Sequence, residues 1–304
     1  MICMAQMNQI VATENADAQI RLLRARRQMY AQAKKLLSLQ TVLTVAVPMV
    51  GAVCASVWPD LRGSVAFVSL TIAILDVTVF DRVQRALLKS AAKVQEQFDC
   101  NVLELPWDDF SVGERVPPET IHAASSKHLK SQQDASLKDW YPVAVEQVPL
   151  HLARIICQRT NLWYDAKLRR QYGGSSLGLS VGLSLLLVVI GMVRGLTLDT
   201  FVLTVLAPAA PIIIWGVREY FRQRDTCEIL DRLRSDSEDL WEQAKTGACS
   251  ETECTNRSRQ FQNAIYLRRS SSPLIFDWMY KVQRPRLEDQ MNRGAEDFVR
   301  EITG

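Results

Sequence analysis

The chain contains one uncharged stretch, LLSLQTVLTVAVPMVGAVCASVWP at residues 36–59, that is 24 residues long. A helix rises about 1.5 Å per residue, so this stretch is long enough to cross a hydrocarbon core of about 30 Å. Uncharged stretches at residues 171–193 and 200–217, of 23 and 18 residues, are candidate spans of the same kind. Their lengths predict a membrane protein.

A fourth candidate span, at residues 61–80, is weaker because it carries Arg62 and Asp76. Both charges lie near its ends, where they can approach the headgroups. The four stretches then form two pairs separated by about a hundred residues. This arrangement predicts an all-α membrane protein with four transmembrane helices in two hairpins, a mostly helical cytoplasmic insert and a helical C-terminal region.

The basic residues are distributed asymmetrically around these stretches. Twenty Lys and Arg residues lie at residues 21–35, 82–93, 154–170 and 218–234, whereas the short loops within the pairs contain only Arg62 and Arg194. Under the positive-inside rule, this bias places both termini and the central region in the cytoplasm.

The spans divide the chain into five regions. These are a cytoplasmic basic helix (1–35), transmembrane hairpin 1 (36–80), a cytoplasmic insert (81–172), transmembrane hairpin 2 (173–217) and a cytoplasmic C-terminal region (218–304). In the last region, the apolar periodicity predicts helices to about residue 245, at 252–269 and at 286–302. No cleavable signal peptide is expected, because the first apolar stretch is too long and follows a basic segment.

Small residues recur at helical spacing in two of the spans. Gly174, Gly178 and Gly182 lie four residues apart in the third span, and Gly51 and Ala55 form a shorter pair in the first. Such residues let two helices approach closely in lipid. The contact can lie within one four-helix bundle or between subunits of an oligomer, and the sequence leaves both interpretations open.

Asp76 is the one acidic residue clearly inside a predicted span. It is either a pore or proton-relay carboxylate, or a residue at the cytoplasmic headgroups with Arg82 or Lys34 as its partner. Three prolines also fall inside spans, namely Pro48, Pro208 and Pro211. A proline removes a backbone hydrogen bond, so each predicts either a gate or a packing kink.

One segment ahead of the third span is rich in arginines and aromatic residues. Its candidate ligand-binding residues are Arg159, Asn161, Trp163, Lys167, Arg169 and Arg170. Arginines beside stacking aromatics suit a nucleotide phosphate. They suit anionic lipid headgroups equally well.

Recognisable enzyme motifs are absent from the sequence. It contains no P-loop, no G-x-S-x-G and no H-E-x-x-H, and its three histidines are isolated. Cys249 and Cys254 lie five residues apart with no histidine nearby, which is poor zinc spacing. We therefore expect no catalytic residue, no metal and no enzymatic activity.

Six blocks of sequence resemble the SMODS-associated four-transmembrane family. They are RRQMYAQAKKLL (26–37), FDCNVLELPW (98–107), DWYP (139–142), ARIICQRTNLWYDAKLRRQY (153–172), IYLRRSSSP (265–273) and DWMYKVQRPRLEDQM (277–291). The resemblance covers nearly everything after about residue 20.

This resemblance implies a pore-forming effector of a bacterial cyclic-oligonucleotide antiphage (CBASS) system. It implies a cyclic nucleotide ligand made by a partner synthase and the inner membrane as location. On binding, the protein would oligomerise or rearrange and permeabilise that membrane, and a homo-oligomer is expected. The family offers no established ligand residues to transfer. No cofactor and no DNA or RNA partner is expected. The alternative functions are a constitutive transporter or channel and a membrane-anchored sensor or scaffold.

Overall fold

A computed structural model describes residues 8–129, 134–195 and 197–303, and all regular structure in these residues is helical. The α-helices are α1 Ile10–Glu14, α2 Asp17–Thr41, α3 Val47–Val57, α4 Arg62–Leu75, α5 Asp81–Val102, α6 Asp109–Val112, α7 Pro118–Leu129, α8 Leu150–Val193, α9 Leu198–Phe201, α10 Ala207–Lys245, α11 Glu251–Ser271 and α12 Asp277–Thr303. Short 3₁₀ turns lie at Pro59–Leu61, Asp134–Leu137 and Val143–Gln147.

Among the described residues, three continuous helices are long and apolar enough to cross a membrane. They are Asp17–Gly51, Gly63–Val102 and Leu150–Val193. These confirm the membrane character of the first three predicted spans. The fourth, residues 200–217, is helical across α9 and α10, but four of its side chains (Leu203, Thr204, Ala207 and Pro208) lie outside the described part. Its membrane crossing therefore stays a prediction.

Three π-helical turns interrupt the apolar helices, at Val42–Ala46, Asp76–Phe80 and Val202–Leu206. The first and third each end two residues before a proline, Pro48 and Pro208. Because proline has no N–H to donate to the carbonyl four residues earlier, a locally widened turn relieves the lost bond. Helix α3 packs against the turn Val202–Leu206, so the two π turns with prolines lie in neighbouring helices.

Helices α8 and α10 form the most extensive contact between two elements in the described chain. Gly216 of α10 approaches α8 so closely that an added Cβ would overlap the side chain of Ser180. Ser176, Ser180 and Ser184, one helical turn apart on α8, are all buried. Small residues thus close this interface, as expected where packing drives helix association in lipid.

The predicted glycine run of the third span lies away from this contact. An added Cβ at Gly174, Gly178 or Gly182 would meet nothing within 4 Å in the described structure. The close intramolecular approaches are instead made by other glycines. A Cβ at Gly191 would lie 2.7 Å from Val205 Cγ2, and one at Gly51 would lie 2.8 Å from Val65 Cγ1. The side chain of Ala55 lies outside the described part.

The main hydrophobic core lies outside the apolar spans and joins the three regions predicted to be cytoplasmic. It includes the fully or almost fully buried side chains of Leu23, Phe98, Ile155, Trp241 and Val299. These residues belong to α2, α5, α8, α10 and α12. The central insert therefore shares its core with both ends of the chain, as expected for a segment too small to fold by itself.

A short N-terminal helix holds the loop that follows Asp134–Leu137. Asn15, just after α1, donates from Nδ2 to Asp139 Oδ1 (2.9 Å) and accepts from the Asp139 N–H (3.1 Å). Glu14 accepts from the Tyr141 N–H at 3.0 Å. Asp139 has φ of 50°, a left-handed conformation that Asp tolerates better than most residues. These contacts fix the position of Trp140 between them.

Replacing Gly191 by Leu is expected to destabilise the folded chain by about 1–3 kcal/mol, because the new side chain collides with Val205 and Phe201. The matched change Gly182→Leu, on the same helix in open space, should leave stability unchanged. Melting temperatures of the detergent-solubilised proteins measure both. Equal melting of the two variants would contradict the assigned packing.

Burial raises the pKa of Glu14 to about 8 from its ordinary 4.5, against the lowering effect of the Tyr141 N–H. The folded state therefore holds this proton more tightly than the unfolded state. Its contribution to stability is complete below about pH 4.5 and is lost as the pH rises towards 8. We expect Glu14→Gln to melt above the wild type at pH 8.5, with the difference shrinking towards pH 5.

Melting curves across this pH range, followed by intrinsic fluorescence, test the prediction. Glu119→Gln, at an exposed position on α7, serves as the control and should follow the wild type throughout. Parallel curves for wild type and Glu14→Gln would contradict the buried, proton-binding state of Glu14.

Candidate ligand-binding cavity

A cavity of about 400 Å³ lies among the helices outside the predicted spans. This volume is within the range of roughly 300–1,000 Å³ that is common for small-molecule sites. Residues of α2, α8 and α12 and the connection between α11 and α12 supply most of its wall. Helices α5 and α10 contribute Leu88 and Leu230. The helical extensions of all four predicted spans therefore border one cavity.

The cavity wall is strongly basic. Eight Lys and Arg side chains line it against two acidic ones, Asp165 and Asp277. The basic residues are Arg26, Arg27, Lys34, Arg169, Arg268, Arg269, Lys281 and Arg284. Like charges held together in a partly enclosed space repel each other unless they are paired, so their partners decide what the cavity can bind.

Some of these cations are paired inside the cavity wall itself. Lys34 Nζ lies 2.6 Å from Asp277 Oδ1. Arg169 Nε lies 3.0 Å from Asp165 Oδ2, and its Nη1 donates to Gln223 Oε1 (2.9 Å) and to the Pro273 carbonyl (2.7 Å). These two residues hold the connection between α11 and α12 against α2 and α8.

Other cations pair with acids outside the wall. Arg284 Nε lies 2.6 Å from Glu288 Oε1, and its Nη2 donates to the Ser136 carbonyl at 2.8 Å. Arg269 is paired with Asp99, which is fully buried. Burial by itself would lower the pKa of Arg269, but the charge of Asp99 outweighs it and raises the pKa above its ordinary value. Both guanidiniums are therefore charged and engaged.

Arg26, Arg268 and Lys281 have no acidic partner among the described residues. Arg268 is half-buried and Lys281 is exposed, and no described group forms a hydrogen bond or an ion pair with the side chain of either. Arg26 is half-buried and is held by aromatic rings instead. Arg27 donates from Nη1 to Ser136 Oγ at 2.6 Å. The positive charge that these residues place around the cavity favours the entry of an anionic ligand.

Arg26 is stacked rather than hydrogen-bonded. Its Cζ lies 4.5 Å from the centre of the Trp140 ring and 5.2 Å from that of Tyr30, both distances typical of cation–π contacts. Its Nε and the Trp140 Nε1 are enclosed and have no hydrogen-bond partner in the described structure. Most buried polar groups are hydrogen-bonded, so these two N–H groups mark a place where an acceptor is missing.

Two of the six ligand-binding candidates named from the sequence line the cavity, namely Asn161 and Arg169. Arg159 instead pairs with Glu238 at 2.9 Å and lies over the Phe298 ring. Arg170 pairs with Asp231.

The remaining two candidates also lie away from the cavity lining. Trp163 packs with a small cluster around Leu168 and Tyr172. Lys167 is half-buried on α8. Of the six candidates, Asn161 and Arg169 therefore line the cavity, and the other four lie elsewhere in the fold.

The sequence interpretation missed Arg26, Trp140, Arg268 and Lys281 as ligand candidates. Each lies in one of the sequence blocks that carry the family resemblance, at residues 26–37, 139–142, 265–273 and 277–291. The block at 98–107 contributes Asp99, which holds Arg269. The signal was therefore present, but it was spread over segments far apart in the chain.

Asp76 has a polar partner different from the two proposed for it. Gln40 Nε2 donates to Asp76 Oδ1 at 2.6 Å, whereas Lys34 pairs with Asp277. Asp76 also begins the π turn Asp76–Phe80. Pro211 lies inside α10, and the side chain of Pro208 lies outside the described part. No cluster of metal-binding side chains occurs among the residues that the structure describes.

Comparison with known proteins places the whole chain in one family. A family model described as the SMODS-associating 4TM effector domain matches residues 8–298. A Bacillus cereus (strain VD146) protein described as a probable CBASS effector molecule is 24% identical over 291 residues, 91% of this chain and 94% of the relative. No solved structure matches the chain. The resemblance seen in the sequence is confirmed, and the chain belongs to the SMODS-associating 4TM effector domain family.

Proposed function

We propose that the protein is a membrane-embedded, non-enzymatic effector of CBASS antiphage defence. A cyclic nucleotide made by a partner synthase binds the cytoplasmic cavity and changes the arrangement of the membrane helices, which then permeabilise the membrane. The similarity to a probable CBASS effector and the membership of an effector-domain family support this role. The physical support comes from the position and the charge of the cavity.

The observation that carries the proposal is that one basic cavity is bordered by extensions of all four predicted spans. Arg26 and Lys34 come from α2, Leu88 from α5, Asn161 from α8 and Leu230 from α10. A ligand shifts a conformational equilibrium only through different affinities for the two states. A ligand that contacts four membrane helices at once is well placed to have such a difference.

The connection between α11 and α12 is the element that the ligand would most directly affect. Asp277 binds Lys34 of α2, and the Pro273 carbonyl accepts from Arg169 of α8. These contacts join the cytoplasmic ends of the first and third spans. An entering anion competes with Asp277 for Lys34, so binding would loosen this connection and free the two spans to move apart.

The proposed topology has four spans in two hairpins in the bacterial inner membrane, with both termini in the cytoplasm. Twenty basic residues beside the predicted inner ends of the spans support this orientation. The cavity then faces the compartment in which a partner synthase works. The lipid bilayer is thus the effector's target as well as its solvent.

The permeabilising state is proposed to be a homo-oligomer that uses the exposed glycine face of α8. Gly174, Gly178 and Gly182 are spaced for close helix approach, yet a Cβ added at any of them would meet nothing within 4 Å among the described residues. The neighbouring face of the same helix is already occupied by α10 through Ser180 and Gly216. A second copy of α8 is the occupant that this geometry suits best.

We expect a loss of membrane potential that depends on the nucleotide and on the cavity. The chain is reconstituted in liposomes with an ion gradient, and cyclic di- and trinucleotides are added while a potential-sensitive dye is recorded. Wild type should depolarise with at least one of these nucleotides, whereas Arg268→Glu/Lys281→Glu should not, because the added charges repel phosphate.

Arg293→Glu, at an exposed position on α12 outside the cavity, is the control and should respond like the wild type. Steady ion flux without any nucleotide would favour a constitutive channel and count against the proposal. No flux with any nucleotide, in a protein that melts normally, would favour a sensor or scaffold.

We expect Gly178→Leu and Gly182→Leu to abolish depolarisation without lowering the melting temperature. At both positions an added Cβ meets no described residue of the same chain, but a leucine would hold a second α8 helix away. Cross-linking in the bilayer, with and without nucleotide, measures the oligomer directly. Depolarisation that survives both substitutions would exclude the glycine face as the contact between subunits.

A further inference from the structure

We propose that the first turns of α12 anchor the protein to the cytoplasmic surface of the bilayer, where Trp278, Val282 and Arg286 contact the headgroups of anionic phospholipids. These three side chains lie four residues apart, so they share one face of the helix. All three are exposed, and none of them lines the cavity. The inference rests on the four-span topology of the proposed function and adds to it a contact with lipid outside the spans.

The start of α12 lies at the level where three of the predicted spans begin or end. Asp277 Oδ1 lies 2.6 Å from Nζ of Lys34, which comes just before the first predicted span. The Phe276 ring lies 6.2 Å from the ring of Tyr172, at the start of the third span. The same ring lies 6.4 Å from that of Trp215, near the end of the fourth. Residues 276 and 277 are therefore at the predicted inner boundary of the hydrocarbon.

From this boundary α12 runs away from the spans, antiparallel to α8. Met279, early in α12, packs in one cluster with Tyr172. Gly294, late in α12, lies beside Arg159 near the start of α8, since an added Cβ would be 3.7 Å from Arg159 Nη1. The N-terminal end of α12 is thus the end at the membrane. Because Cα–Cβ bonds in a helix tilt towards its N-terminus, exposed side chains on the first turns lean towards the bilayer.

The spacing of the exposed residues along α12 matches one layer of headgroups. A helix rises about 1.5 Å per residue, so Val282 lies about 6 Å beyond Trp278. The headgroup layer of one leaflet is roughly 5–8 Å thick. Trp278 then lies at the edge of the hydrocarbon, where tryptophan is enriched, and Val282 lies among the headgroups. The longer side chain of Arg286, one turn further on, can extend back towards the phosphates.

The chemistry of this face also fits an anionic lipid surface. Trp278 is 56% exposed and Val282 is 68% exposed, although the opposite face of α12 packs against α8. Arg286 is exposed and forms no ion pair among the described residues, and nearby Asp277 is engaged by Lys34. A tryptophan followed by a basic residue is typical of helices that bind the membrane interface, and anionic lipids attract the basic residue. The charge and the depth of the face therefore select lipid as its partner.

Collision measurements on spin labels test where this face lies. A nitroxide is attached at Val282→Cys in the full-length protein, which is reconstituted in an equimolar mixture of phosphatidylcholine and phosphatidylglycerol. We expect the label to collide with a nickel chelate carried on lipid headgroups and to be shielded from a water-soluble nickel chelate. The same label at Arg293→Cys, an exposed position later on α12, is the matched control and should meet the water-soluble chelate. The unsubstituted protein gives the background from native cysteines.

Arg286→Glu tests the role of charge without changing the cavity lining. In the anionic mixture it should lower the ratio of lipid to water collisions at residue 282 by at least about fivefold, the effect of one basic side chain at an anionic surface. In phosphatidylcholine alone the ratio should change little. Trp278→Ser should lower the ratio in both bilayers, and melting curves verify that each variant is folded. An unchanged ratio in the anionic mixture would exclude Arg286 as a headgroup contact.

A label at Leu186→Cys, exposed in the third span, separates this inference from the proposed topology. If that label lies in hydrocarbon while residue 282 meets the water-soluble chelate, the anchor is rejected and the topology stands. Spin–spin broadening at residue 282 that disappears on dilution with unlabelled protein would assign the face to a second copy and also reject the anchor. If both labels meet the water-soluble chelate, the proposed topology fails and the anchor fails with it.

Discussion

The part of the fold outside the predicted spans depends on one fully buried carboxylate, that of Asp99 on α5. It accepts hydrogen bonds from the Tyr141 hydroxyl (2.9 Å), Gln262 Nε2 (3.0 Å) and Gln95 Nε2 (2.7 Å), in addition to its ion pair with Arg269. These donors come from α5, α11 and the loop that carries Trp140. A buried charge with all its acceptor positions used specifies one arrangement of the elements around it, because a shift in any of them would leave the charge unpaired.

This network also determines which arginines of the cavity wall are available to a ligand. Arg269 lines the cavity but is committed to Asp99, so it shapes the wall without being available to a ligand. Burial raises the pKa of Tyr141 well above its ordinary value, which keeps its hydroxyl a donor to Asp99. Arg26, which lies beside the same loop, is held by the Tyr30 and Trp140 rings and forms no ion pair among the described residues. The fold thus divides its arginines into those that hold the structure and those left for an anion.

Sequence patterns predicted the helices well because apolar length and periodicity are local properties. They did not predict the cavity, because its residues converge from distant segments. Arg159, Arg169 and Arg170 look alike in sequence, yet Glu238 and Asp231 engage the first and third, and only Arg169 lines the cavity. The last helix was predicted to begin at residue 286, just after Pro285, but α12 begins at Asp277 and contains that proline. The missed first two turns carry Lys281.

Helix α8 differs from the other predicted spans in a way that bears on how the cavity can act on the membrane. It runs unbroken for 44 residues, about 66 Å, from the main hydrophobic core through the third predicted span. The other three spans each contain a π turn, and such turns are frequent at functional sites. A displacement of α8 at Asn161 and Arg169 would therefore move the whole helix, whereas the three neighbouring spans can bend at their π turns. Because the glycine face also belongs to α8, one helix joins the cavity to the proposed oligomer contact.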